Sequence, residues 1–412
     1  MSTDSADLIP NLKNNSLGGP WIAGFLLFGI LVGLPGSLLI TWQYHIDAPP
    51  QIVGLHFLSL NAGYVLCAFV AQRLLLRWSA RAVAAGFAAL ALASLLLLSY
   101  LPPPAPLNFR IAALAAVGGA SGGLLASLLY ALAPEFAASA AAVTNRAGLL
   151  FGSGCLLSTL VVGVTYFTRW LPLPTLILSA VPLTVLALLV FGRNRKNWPV
   201  ARHENDPFRD STKDLRSIAA VLFTLLLSFQ FANELVIAGW LPLFFIHRMG
   251  SNPVWAVYAL AAYFFALMAG RLIAQKLLPR VNHRNLLLAA MSTAILGCVL
   301  LSMTDSLDGA CIAVVVIGGS FAPIFPLVAE KLDDRFSYQP RFYNNIFAIA
   351  IGGAMCVPWL LGYVAALDMR YVMLLPATGS MAVLILMLLI MLEAQLMSGS
   401  GTETAGMGGS AR

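Results

Sequence analysis

Charge is what this chain has least of. Asp, Glu, Lys and Arg together make up 10% of its 412 residues, 59% are hydrophobic, and mean hydropathy is +0.85. So few charges cannot cover the surface of a soluble domain of this length, which excludes an ordinary water-soluble enzyme or binding module. The net charge of +7 invites a nucleic-acid reading. The basic residues, however, lie between apolar runs instead of in one patch, which is how topology signals are distributed, so no nucleic-acid partner is expected. Cysteine is scarce as well: Cys67, Cys155, Cys298, Cys311 and Cys356 are odd in number, sit inside apolar runs and show no CxxC spacing. Neither a disulfide framework nor a metal site follows, and the five read as small packing residues. A His-rich ligand set, a Walker loop and a nucleophile elbow are all missing, so no metal, no cofactor, no ATP-driven step and no enzymatic activity are expected. Residues 1–20 are polar and the apolar run after them is too long for a signal h-region, so no cleavable signal peptide is expected.

Long apolar runs, by contrast, abound. Stretches able to cross about 30 Å of hydrocarbon at 1.5 Å per residue occur at 20–42, 52–73, 81–101, 109–133, 146–166, 171–192, 216–246, 253–278, 284–303, 308–331, 342–366 and 370–394. Connections are short except for the polar, Pro-containing stretch 193–215, which divides the chain six plus six. The expected organisation is therefore a tail at 1–19, a six-helix bundle at 20–192, a linker at 193–215, a second bundle at 216–394 and a tail at 395–412. Of the 24 Lys and Arg residues, all but Arg110, Arg169, Arg248 and Arg370 fall on the side of the termini and the linker. The positive-inside rule puts that side in the cytoplasm. The expectation is a monomeric multi-pass protein of a bacterial inner membrane, all-α, with twelve spans.

An internal repeat supports the division. AQRL at 71–74 pairs with AGRL at 269–272, GGAS at 118–121 with GGS at 318–320, Asn145 with Asn345, Gly152 with Gly352 and Trp42 with Trp240. Under this repeat Gly36 corresponds to Glu234.

Glu234 is the residue on which a function can be hung. It lies near the middle of FQFANELVIAGWLPLFF, residues 229–245, whereas every other acid falls in a loop, a tail or the last turn of a run. A charge at the centre of a bilayer costs roughly 2.5–3.5 kcal/mol even on a mild scale, so such a group faces a cavity, carries a proton or does a job. An apolar surround disfavours the carboxylate and makes reversible protonation its natural chemistry; the bland alternative is a structural acid bonded to a neighbouring helix. Gln230 lies one turn before it on the same face. Gln230 or Asn233 can read substrate hydroxyls, and Trp240 can stack on an apolar ring or anchor at the interface; Asn233, about 100° round from Glu234, also suits a bond to a neighbouring helix. Gly318, Gly319 and Ser320 before Pro323 and Pro326 make a weak point in the tenth run, as Pro35-Gly36 does in the first. Phe321 and Phe325 can line a pathway there or simply pack. His56, Asn61, Tyr64, Ser121, Ser127, Tyr130, Asn344 and Asn345 read mostly as bonds between helices. Arg271, at the cytoplasmic end of its run, is not expected to meet Glu234.

Several stretches resemble the major facilitator superfamily, and within it the fucose-permease-like branch. CAFVAQRLLLRWSAR at 67–81 is similar to the loop motif after the second helix, with Arg73, Arg77 and Arg81 as its basic residues and Leu76 in place of its acid. MAGRLIAQKLLPRVNHR keeps Gly270 and Arg271 in the second half. GGLLASLLYALAPEF resembles the fourth-helix pattern, with Ala126 and Tyr130 where Asp and Asn are usual, and NRAGLLFGSGCLL the start of the fifth, with Gly148 where His is common. NELVIAGWLPLFF and GGSFAPIFPLVAE complete the set. The resemblance implies two six-helix bundles rocking about a central site formed mainly by helices 1, 4, 7 and 10. It also implies symport of a proton, carried by Glu234, with a small polar solute such as a sugar. Arg73, Arg77, Arg81 and Arg271 would be gating-loop residues, and Gln230, Asn233, Trp240, Ser320, Phe321, Phe325 and Tyr130 substrate contacts. The apolar first half keeps open a rival, proton-coupled export of amphipathic compounds or lipids. The missing loop acids keep open another, a scaffold or sensor that transports nothing.

Overall fold

The computed structural model describes residues 19–136, 140–192, 215–336 and 339–406. Twelve helices are long and apolar enough to span a membrane, and no strand occurs among the described residues. In chain order they are α1 Gly19–Thr41, α2 Pro50–Leu75, α3 Ala80–Ser99, α4 Leu107–Phe136, α5 Ala140–Thr165, α6 Leu173–Phe191, α7 Ile218–Met249, α8 Pro253–Leu277 and α9 His283–Met303. Then follow α10, in two pieces, Leu307–Phe321 and Ile324–Phe336; α11, also in two, Pro340–Ala354 and Cys356–Ala365; and α12 Arg370–Gly406. The protein is an integral, multi-pass, all-α membrane protein. The linker 193–215, apart from its last residue, and the tail 1–19, apart from Gly19, lie outside the described residues. So do Lys13, Arg193, Arg195, Lys196, Arg202, Arg209, Lys213 and Arg412. The last apolar span ends at Glu393, close to the expected 394, while the helix itself continues to Gly406.

Local chemistry sets the helix ends. The side chains of Ser79, Ser217, Asn252, Asn282 and Ser306 each accept a backbone N–H at a helix start. Pro50, Pro253 and Pro340 stand in the first turn, where a missing N–H costs nothing. Gly250, at φ 65°, closes α7 in the left-handed conformation that glycine tolerates best. The break in α10 falls beside Pro323, which has no N–H to return to Gly319, as its sequence predicts. The break in α11 precedes Pro358 by the same logic: the carbonyl of Ala354 gets no return bond.

Packing follows the repeat. In the first bundle α2 packs on α4, α1 on α5, and α3 on α4 and α6. In the second, α8 packs on α10, α7 on α11, and α9 on α10 and α12. Each pair maps onto its counterpart by adding six. The two bundles touch mainly through α5 against α8 and α2 against α11, a pair related by the same step. Glycine makes the α2–α4 approach possible: a Cβ on Gly63 would overlap the Ala115 carbonyl and one on Gly118 that of Leu60. Such close backbone contact replaces the hydrophobic drive that is missing between helices in lipid.

Candidate functional site

A central cavity of about 160 Å³ lies between the bundles, with Glu234 on its wall. Glu234 accepts a hydrogen bond at Oε1 from Gln230 Nε2, 2.8 Å away and one turn earlier on α7. Part of the Glu234 side chain remains accessible on the cavity side, whereas Gln230 is buried. Gln230 therefore holds the carboxylate and does not itself line the cavity.

Arg271 reaches the same cavity from α8. It is 3% exposed, the one charged side chain among the described residues that is fully buried. Its guanidinium donates from Nη1 to the Gly148 carbonyl of α5, and Nε has no partner within the protein. The seat is made by an absence, because a Cβ on Gly148 would stand 2.6 Å from Nη1. Asn145, one turn earlier on α5, donates to the Arg271 carbonyl (3.2 Å) and fixes the α8 backbone beneath it. Arg271 and Glu234 line the same cavity, but none of the described ion pairs joins them. The expectation that the two are not direct partners thus agrees with the structure, but the Arg271 side chain is not left at the cytoplasmic face: it is buried on the wall of the same cavity. Gly148 lets it fold inward.

Further polar atoms of the cavity come from Asn61 and Tyr64, read from the sequence as bonds between helices, and from Thr144 and Tyr263, which the sequence reading did not single out. The hydroxyls of Tyr64 on α2 and Tyr263 on α8, the amide nitrogen of Asn61 and the hydroxyl of Thr144 all line it, buried and without a hydrogen-bond partner within the protein. Tyr64 and Tyr263 stand 199 positions apart, so the repeat carried a signal for this pair that sequence reasoning missed. The rest of the wall is apolar. Phe28 packs on Phe151 at 5.1 Å between ring centroids on the first-bundle side. On the other, Phe231, Phe325 and Phe347 form a triad with separations of 5.5–6.2 Å.

The other expected contacts lie elsewhere. Trp240 is fully buried, bonded to the Pro358 carbonyl (3.1 Å) and packed against Phe57, so it neither lines the cavity nor sits at an interface. Asn233 donates to Ser380 on α12 (3.3 Å). Ser320 returns its hydroxyl to the Val316 carbonyl, Phe321 is buried in the core, and Tyr130 lies half-buried beyond the cavity on α4. Of the expected substrate contacts only Phe325 is on the wall. Pro323 explains why: it breaks α10 between Phe321 and Ile324, so the two phenylalanines no longer share one helical face. The wall draws on α2, α5, α8 and α11 as well as α1, α4 and α7, with α10 giving Phe325 alone. Arg73 and Arg77 are exposed, and Arg81 caps α6 through the carbonyls of Leu189 and Gly192.

At the end of the molecule where α1 and α7 finish, the bundles meet backbone to backbone. Pro242 leaves the Ala238 carbonyl without its helical donor, and a Cβ on Gly36 would overlap that oxygen. Gly54 approaches the Trp359 carbonyl, and Gly362 that of Pro50, in the same way. This end is closed, and the cavity extends from the centre toward Leu132, Thr144 and Arg271 at the other.

Residues 21–344 match the Major Facilitator Superfamily. Among solved structures, the E. coli fucose:proton symporter FucP is 16% identical and superposes with a TM-score of 0.67, covering 90% of this chain and 97% of its own. The nucleoside transporter NupG is 13% identical with a TM-score of 0.68, over 90% of this chain and 98% of its own. No curated protein matches in sequence. With twelve spanning helices in two matching sets of six, and a family match over most of its length, the chain belongs to the Major Facilitator Superfamily and is a transporter, not an enzyme.

Proposed function

We propose that this protein is a proton-coupled secondary transporter of a small amphipathic solute, working by alternating access, with Glu234 as the coupling group. One observation carries the reading: Glu234 is the only carboxylate among the described cavity residues, it keeps open surface there, and it shares that cavity with Arg271 and several unpartnered polar atoms. A carboxylate poised between an apolar wall and a permanent cation can exist in both protonation states, which is what a proton carrier requires. The phenylalanine-rich wall favours a solute with an apolar face over a fully hydroxylated sugar. Asn61, Tyr64 and Tyr263 supply the hydrogen bonds for its polar edge. Basic side chains such as Arg73, Arg77, Arg280 and Arg335 gather at one end, supporting cytoplasmic termini in a bacterial inner membrane. On that orientation the closed end is the outer one, and the cavity extends inward.

Reconstitution tests the reading. Wild-type protein in liposomes should accumulate or expel substrate when a pH gradient is imposed. Glu234→Gln, which keeps size and most hydrogen bonding, should still exchange substrate but lose the response to the gradient. Gradient-driven transport by Glu234→Gln at the wild-type rate would sink the proposal, and absence of any transport by the wild type would favour the scaffold reading.

A further inference from the structure

Arg271 is a buried cation whose only acidic neighbour in the cavity is a group expected to pick up a proton. Its guanidinium keeps its charge at all physiological pH values and offers five N–H donors in a planar fork. One nitrogen is committed to the Gly148 carbonyl, and Nε is unpartnered. A buried charge left without a counter-ion is strongly destabilising. Glu234 can balance it only while ionised. The other titratable groups facing the pair are the thiol of Cys155 on α5 and the phenols of Tyr263 and Tyr64 on α8 and α2. Their ordinary titration lies above neutral pH. Among the described residues, α1, α4, α10 and α11 bring no ionisable side chain to the cavity wall.

We propose that the transported solute is a monoanion, an apolar ring-sized body bearing one carboxylate or similar acidic group, and that Arg271 binds this group when Glu234 is protonated. The inference rests on the transport reading above and names its substrate class. The cavity then holds one negative charge opposite Arg271 at a time, either the Glu234 carboxylate or the acid of the ligand. Proton and anion enter together, and the loaded site gains no net charge, which makes re-orientation across an apolar barrier inexpensive. The seat is specific to one half of the protein. At the repeat-related position Gly148 is replaced by Ala348, and the repeat partner of Arg271, Arg73, is exposed. The aromatic clusters Phe28–Phe151 and Phe231–Phe325–Phe347 offer ring surface on both bundles against which an apolar ring can pack.

The test uses 3-phenylpropanoate and its neutral amide, 3-phenylpropanamide, as probes of nearly equal shape, with thermal shift and equilibrium binding on the detergent-purified full chain. The acid should bind at least tenfold more tightly than the amide at pH 6, and its affinity should fall by about tenfold per pH unit once Glu234 ionises, as one linked proton requires. In Glu234→Gln, acid binding should persist and become independent of pH. In Arg271→Gln the preference for acid over amide should vanish. If Arg271→Gln does not fold, Glu234→Gln decides the matter, since a pH dependence unchanged from wild type overturns the proposal. Equal binding of both probes, or of neither, also overturns the monoanion assignment while leaving proton-coupled transport standing. That reading falls if gradient-driven transport survives in Glu234→Gln or if the wild type transports nothing.

Discussion

The two main contacts between the bundles, α5 against α8 and α2 against α11, correspond under the internal repeat and differ in where they place charge. Both use an asparagine near the start of the fifth helix of a half to reach across. Asn145 donates to the Arg271 carbonyl (3.2 Å), while Asn345 accepts from Gln72 (2.8 Å) and its neighbour Asn344 donates to the Ala68 carbonyl (3.3 Å). At the first contact the repeat's arginine turns inward as Arg271. At the second its partner Arg73 stays exposed, and neutral Gln72 makes the crossing. The same asymmetry separates Glu234 from Gly36, the one a cavity carboxylate, the other a point where backbones touch. In both of these matched pairs the charged group on the cavity wall belongs to one member only. A duplicated scaffold gains direction when its copies stop being equivalent.

The largest effect should come from removing the charge. One pH unit is worth about 1.4 kcal/mol, or a tenfold concentration ratio per coupled proton. Glu234→Gln should reduce the ratio measured in liposomes to unity, with exchange intact. Next comes the sealing counterpart. Gly36→Val would drive a side chain into the Ala238 carbonyl, which cannot yield as a flexible side chain does. Overpacking of this kind costs about 1–3 kcal/mol, which shifts a two-state population by roughly 5- to 150-fold. The closed end should open. A cysteine replacing Val32, in a chain stripped of its five native thiols, should then label faster from the side where α1 ends, and transport should fall by a comparable factor. Unchanged labelling would show that the contact does not hold that end shut.

The spans were legible because each needs only length and apolarity, and the six-plus-six symmetry because Gly, Asn and Arg recur at offsets near 200. Glu234 stood out through the cost of its position. Arg271 did not, because its inward turn depends on a glycine on another helix, and no spacing within α8 reports what α5 lacks. Trp240 misled for a related reason. An indole near the end of a span reads as an anchor or a stacking platform, but the carbonyl of Pro358, just after the break in α11, captured its N–H. Tyr64 and Tyr263, 199 positions apart, were not paired in the sequence reading, and nothing in either helix says that both face a cavity.

A smaller change sharpens the comparison at its charged contact. Gly148→Ala adds a Cβ within 2.7 Å of the Arg271 guanidinium carbon, and the long side chain can swing away from it. Fold and expression should survive, with transport lowered by a few-fold and its pH profile displaced. Ala348→Gly at the neutral contact should do neither. Equal effects at the two positions would mean that packing, not the seat of the guanidinium, is what differs.

The smallest effect belongs to the neutral contact itself. Gln72 and Asn345 share one side-chain hydrogen bond across α2 and α11, and bonds of this kind within membranes average about 0.6 kcal/mol by double-mutant cycles. Gln72→Ala, Asn345→Ala and the double variant should therefore yield a coupling energy of about that size in denaturant titrations of the purified protein. The pH dependence of transport should stay as in wild type, because neither residue is ionisable or placed on the cavity wall. A coupling energy above about 2 kcal/mol, or a displaced pH profile, would show that the α2–α11 contact takes part in coupling. The division between a charged half that couples and a neutral half that seals would then be wrong.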